Sequence, residues 1–195
     1  HMFRIMMNQI CMNSVITHTI HSLCPSPTKT DTTIRNFTDF IMLDINITHI
    51  SRSNGETSPV LITYFREIAI IDLLASSGMR VGELVTLNRE DINFNERECV
   101  VFGKGNKERL VYFDARTKIH LQNYLDERSD SNPALFVTLK EPHERLMIGG
   151  VETRLRELGK RLSLPKVHPH KFRRTLATSA IDKGMPIEQV QQLLG

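Results

Sequence analysis

The chain has 195 residues, is 40% hydrophobic and 24% charged, and carries a formal net charge of +3. That length supports one domain with its own core plus a small appendage, and the composition is that of an ordinary globular protein. No apolar run approaches the roughly 20 residues of a membrane-spanning helix. No positively led apolar segment with a cleavage site marks a secretory signal, so a cytoplasmic chain without membrane association is expected. The cysteines, Cys11, Cys24 and Cys99, form neither a CxxC pair nor a zinc spacing. A reduced compartment fits them, and no metal and no cofactor is expected.

Residues 1–59 are rich in Ile, Thr, Met and Asn, poor in charge, and show no clean periodicity apart from a short helix expected in Ile34–Asp44. They read as a separate N-terminal segment to which no role is assigned, with a second unit at 60–195. Val60–Ser76 carries a helical stripe of Leu61, Phe65, Ile68, Ile71, Leu73 and Leu74, ended by Ser77-Gly78. A short helix follows over Arg80–Leu87, then a polar loop at Asn88–Asp91. Glu98–Phe102 and Arg109–Phe113 are β-type runs flanking a turn-rich insert, which predicts a hairpin. Asp114 is placed to cap a helix reaching about Arg128, and Ala134–Val137 reads as a short strand. An amphipathic helix is expected over Gly150–Leu162, another from Pro169 to about Lys183 stopped by Gly184, and a last one over Ile187–Leu194. From Leu146 to Lys183 nine Lys/Arg stand against three acids. That excess suits a polyanionic partner and also a solvated helical face.

Three stretches carry candidate chemistry. In Ser77–Leu84 a glycine turn sets Arg80 at a helix start with Glu83 one turn on. There a planar guanidinium can meet a phosphate beside helix N-terminal amides; a surface arginine next to a helix cap is the plainer alternative. In Gly103–Arg109 the glycines allow close backbone approach and Lys104 supplies a charge or a proton, against the alternative of a solvated turn. The GxxxxGK[ST] spacing of a phosphate-cradling loop is absent. In His168–Thr175, His170 and Arg173 share a helix face, a pair suited to an anionic transition state that also needs a proton moved. His168 reads equally well as a packed histidine. HxH without an acidic or cysteine partner is a weak metal set.

Gly78-Met-Arg-Val-Gly-Glu-Leu84, Gly103-Lys-Gly-Asn-Lys-Glu-Arg109, His170-Lys-Phe-Arg-Arg-Thr175 and Gln192-Leu-Leu-Gly195 occur in the order and spacing of tyrosine recombinases. Over about Phe65–Gly195 the chain resembles the catalytic domain of integrases of conjugative transposons and Xer-like recombinases. The resemblance implies a mainly α-helical α+β fold with one small antiparallel sheet. It implies site-specific recombination of double-stranded DNA by enzymes that assemble as homo-oligomers on their substrate. Carried over by position, Arg80 and Arg173 would grip the non-bridging oxygens of the scissile phosphate, and Lys104 would protonate the departing 5′-oxygen. His170 would act as general base or hold the phosphate, and Glu83 would orient the site. Lys107, Arg109, Lys171 and Arg174 would contact DNA. The two arginines would replace the charge neutralisation that a metal supplies elsewhere.

The chain departs from the family at both sides. The pattern continues Leu-Leu-Gly-His, and a nucleophilic tyrosine follows it. Gly195 is the last residue here, and Tyr64, Tyr112 and Tyr124 do not match the nucleophile's place. The expectation is a truncated catalytic domain that does not itself cleave DNA. Residues 1–59 are too short for the family's helical core-binding domain, so weak, salt-sensitive DNA affinity is expected. Two rivals stand beside this reading: a non-catalytic DNA-binding module, and a helix-turn-helix regulator using Met185–Gly195.

Overall fold

A computed structural model of the chain describes residues 59–103, 108–164 and 166–195. The helix expected in Ile34–Asp44 lies outside the described residues, as do Lys104 and Lys107. No helix among the described residues is long and apolar enough to cross a membrane.

The first helix, α1 (Pro59–Ser77), is the axis of the domain. Ile68, Ala69, Ile70, Ile71, Leu73 and Leu74 are all buried, so α1 is apolar nearly all round, which only a central helix can satisfy. Helices α3 (Ala115–Asp126) and α5 (Pro169–Asp182) lie along it. Charges on such a helix need partners. Asp72 accepts two hydrogen bonds from Arg116 at 3.1 Å each, and His120 Nδ1 lies 2.6 Å from its Oδ2. Arg66 donates to Val137 O at 3.0 Å. Arg154 Nη2 sits 2.6 Å from Glu67 Oε1.

Gly78 ends α1. Its φ is +62°, and a Cβ there would stand 2.7 Å from Leu176 Cδ2 and 2.8 Å from Leu194 Cδ2. Glycine therefore serves twice, permitting the left-handed backbone and letting two later helices close on the turn. Arg80, extended at φ −76°, then opens α2 (Val81–Thr86).

The sheet has the order β1-β2-β3, all antiparallel, from β1 (Ile92–Asn93), β2 (Glu98–Phe102) and β3 (Glu108–Tyr112). Cys99, Val101 and Val111 face the core while Phe102 and Leu110 face out, the alternation of a one-sided sheet. Asp114 caps α3 as its sequence predicts, its Oδ1 accepting from Thr117 N at 2.7 Å. Helix α4 (Ile148–Arg161) buries Val151, Leu155 and Leu158. Gly184, at φ +85°, turns the chain from α5 into α6 (Ile187–Leu194). The result is the mainly helical α+β architecture with a small antiparallel sheet that the sequence predicts.

Three local expectations change. Asn88–Asp91 contains a 3-10 turn, Arg89–Asp91, and leads into β1, an additional strand of two residues. Ala134–Val137 forms only isolated bridges, Asn88 with Ala134 and Val137 with Arg145. This segment is apolar because it is buried, and burial alone produces a strand-like sequence signal.

Candidate functional site

The site is assembled where the α1–α2 turn, strand β3, helix α5 and the end of α6 meet. Glu83 is its anchor. Its side chain is only 5% exposed, and a buried carboxylate must be paired. Oε2 accepts from Arg80 N at 2.8 Å and from Arg109 Nη2 at 2.7 Å, while Oε1 accepts from Arg80 Nη1 at 3.0 Å. The backbone bond fixes the start of α2, and the side-chain bonds fix two guanidiniums.

Arg173 reaches the same place from α5. Its Nη1 donates to Gly78 O at 2.9 Å, locking the helix to the glycine turn. Its Nη2 donates to Leu194 O at 2.7 Å and to Gly195 O at 3.0 Å. Arg80 Nη2 donates to that same Gly195 oxygen at 2.7 Å. Two guanidiniums from residues far apart in sequence thus converge on one oxygen. Two forks able to share one oxygen are spaced to share the oxygens of one phosphate group. The carbonyls at the C-terminal end of α6 carry the negative end of its dipole, so their meeting with the arginines is favourable.

Three arginines surround one carboxylate, so the site carries excess positive charge. Burial, and then the neighbouring cations Arg80 and Arg109, lower the pKa of Arg173, opposed by Glu83. Each of these cations therefore gains from an anion between them.

The remaining candidates fall into three groups. His170 is exposed in the first turn of α5, one turn before Arg173, with its ring centroid 6.5 Å from that of His168. Lys171 is half-buried and Arg174 exposed on the same helix. Lys104 and Lys107 lie outside the described residues. Arg109 points inward. It is 17% exposed, donates to Glu83, and donates through Nη1 to Leu193 O at 3.2 Å. The reason is strand register: Arg109 pairs with the buried Val101 and so sits on the core side of the hairpin.

The tyrosines are elsewhere. Tyr124 is fully buried against Phe136, with ring centroids 5.5 Å apart, and its hydroxyl accepts from Val137 N at 3.3 Å. Tyr112 pairs with Glu98, at the end of the strand pair remote from Phe102 and Glu108. Tyr64 is half-buried on α1 beside Phe65. Reading the sequence missed the part played by main-chain oxygens: those of Gly78, Leu193, Leu194 and Gly195 hold the arginines, which no residue type announces.

Residues 56–195 match the phage integrase family, and the chain belongs to that family. Tyrosine recombinase XerC of Staphylococcus aureus (strain bovine RF122 / ET3-1) is 38% identical over 135 residues, covering 67% of this chain and 45% of that protein. The XerC of strain NCTC 8325 / PS 47 is 37% identical over the same length. The chain spans about half the length of the curated relatives it matches. Among solved structures, XerA recombinase superposes with a TM-score of 0.61 at 26% identity, over 98% of this chain and 80% of that one. XerH site-specific recombinase bound to difH, in its pre-cleavage complex, gives a TM-score of 0.66 at 22% identity over 89% of this chain and 47% of that one, a likeness of fold.

Proposed function

We propose that this chain contributes the phosphate-binding part of a tyrosine-recombinase catalytic domain, acting on a backbone phosphate of double-stranded DNA. The observation that carries the reading is the single oxygen held by both Arg80 and Arg173. In strand exchange by a phosphotyrosine, negative charge builds on the non-bridging oxygens as the attacking oxygen arrives and the 5′-oxygen leaves. Paired forks fixed before the reaction stabilise that charge without reorganising. Glu83 holds the Arg80 fork, and Gly78 O holds that of Arg173. His170, on the same face as Arg173, moves or holds a proton at the phosphate, and Lys104 protonates the departing oxygen. Lys107, Lys171 and Arg174 bind flanking phosphates. In this reading the intact enzyme works as a homo-oligomer on DNA in the cytoplasm, without a metal or cofactor.

Tyr64, Tyr112 and Tyr124 do not serve as nucleophile here, since none belongs to the site. The helix-turn-helix alternative gives no reason for Arg80 and Arg173 to meet at the end of α6. Fluorescence anisotropy on a labelled duplex tests the proposal. A charge-assisted hydrogen bond is worth about 1.5–3 kcal/mol, so Arg80→Ala or Arg173→Ala weakens binding roughly tenfold or more. Unchanged affinity in either variant refutes the reading. A nicked suicide duplex yields no covalent adduct with this chain, and an adduct would overturn the assignment of the tyrosines.

A further inference from the structure

Arg109 joins three elements of the site. One prong binds Glu83 Oε2 at 2.7 Å and the other binds Leu193 O at 3.2 Å. The guanidinium also closes on the α6 end, where a Cβ at Gly195 would lie 2.9 Å from Arg109 Nε. Its own backbone belongs to β3, which begins at Glu108. One side chain therefore ties the hairpin to α2 through Glu83, and to α6 through a main-chain oxygen.

The carboxylate oxygen it binds also fixes Arg80, accepting its backbone N–H at 2.8 Å. We propose that Arg109 is a positioning residue: it makes no contact with DNA, and sets the Arg80 fork by holding Glu83 and the α6 end. This rests on Arg80 and Arg173 being the phosphate ligands. With Arg109 in place, the buried Glu83 charge is neutralised from two sides, which leaves part of the Arg80 fork for another anion. Without it, Arg80 is the remaining side-chain cation bonded to Glu83 and is drawn to the carboxylate. The ties from Glu83 to β3 and from β3 to α6 are lost as well. Lysine cannot substitute, because a single ammonium point charge does not span two acceptors on different elements as a planar fork does.

The experiment is a double-mutant cycle on affinity for a labelled duplex at fixed salt, using Arg80→Ala, Arg109→Ala, Arg109→Lys and the Arg80→Ala/Arg109→Ala pair. Thermal melts confirm that each variant is folded, and Arg109→Lys carries the comparison if the alanine variant is not. Arg109→Ala and Arg109→Lys each weaken binding by roughly threefold or more, the range of coupled neighbours. In the Arg80→Ala background, removing Arg109 adds less than about twofold, because its effect runs through Arg80. Rescue by lysine, fold-effects that multiply, or full affinity in Arg109→Ala would each overturn the positioning role. If Arg80→Ala alone binds like the wild type, the phosphate reading falls first and takes this one with it. A weak Arg80→Ala combined with multiplying effects removes the positioning role alone.

Discussion

Gly78→Ala probes the joint on which the site is built. The Gly78 backbone is left-handed at φ +62°, which costs a residue with a Cβ about 1–2 kcal/mol. The added methyl would meet Leu176 Cδ2 at 2.7 Å and Leu194 Cδ2 at 2.8 Å, against the roughly 3.5–4.0 Å of a comfortable carbon contact. Both atoms end flexible side chains, so overpacking falls near the low end of its range, about 1 kcal/mol. The sum is about 2–3 kcal/mol. A domain of this size loses roughly 3–5 °C of Tm per kcal/mol, so thermal unfolding followed by far-UV circular dichroism should show Tm falling by roughly 6–15 °C. Gly82→Ala is the control. No atom lies within 4 Å of the Cβ site in that helical position, and alanine there stabilises by about 0.5–1 kcal/mol. DNA affinity should fall at Gly78→Ala under conditions where the variant is folded, because Gly78 O holds Arg173 and the same turn carries Arg80. A Gly78→Ala protein melting within about 1 °C of the wild type would refute this account of the turn.

Acid should act through the paired carboxyls. Burial alone would raise the Asp72 pKa, but hydrogen bonds from His120 and Arg116 leave it below its ordinary value. Asp130 is held down to about 2, chiefly by its hydrogen bonds from Arg128. Carboxyls depressed in the folded state stabilise it above their unfolded pKa of about 4, and that contribution is lost as pH falls through the folded values. Urea midpoints should therefore hold from neutral pH to about pH 4 and drop between about 4 and 2, with a smaller drop in Asp130→Asn. Asp72→Ala, which leaves His120 and Arg116 facing an empty site, should cost about 2–3 kcal/mol at neutral pH by urea denaturation. Burial pushes the Cys99 thiol up to about 12. In a Cys11→Ser/Cys24→Ser background, a thiol reagent at pH 8 should leave the native protein unlabelled and label it fully in denaturant.

The regular part of the fold was legible because local signals and tertiary packing agree. The stripe of α1, the Asp114 cap, the hairpin and the proline start of α5 all lie within a residue or two of their expected places. What escaped depends on distant partners. Strand β1 is two residues long and exists because Cys99 and Glu98 pair with it. The Asp72–His120 contact joins positions 48 apart in sequence, though a carboxylate inside an apolar helix is itself a sign that a partner exists. Arg80, Glu83 and Arg173 were legible as motif positions, whereas their meeting on one oxygen was not. The inward orientation of Arg109 was not legible, because a basic residue near a turn looks solvent-facing until the pairing register places it opposite Val101.

The salt dependence of duplex affinity tests the central claim most directly. Each phosphate neutralised contributes about 0.9 to the slope of log K against log salt. If Arg80 and Arg173 share one phosphate, the Arg80→Ala/Arg173→Ala protein loses about 0.9 from the wild-type slope. An unchanged slope, or a loss of about 1.8 as for two separate phosphates, would contradict the shared site.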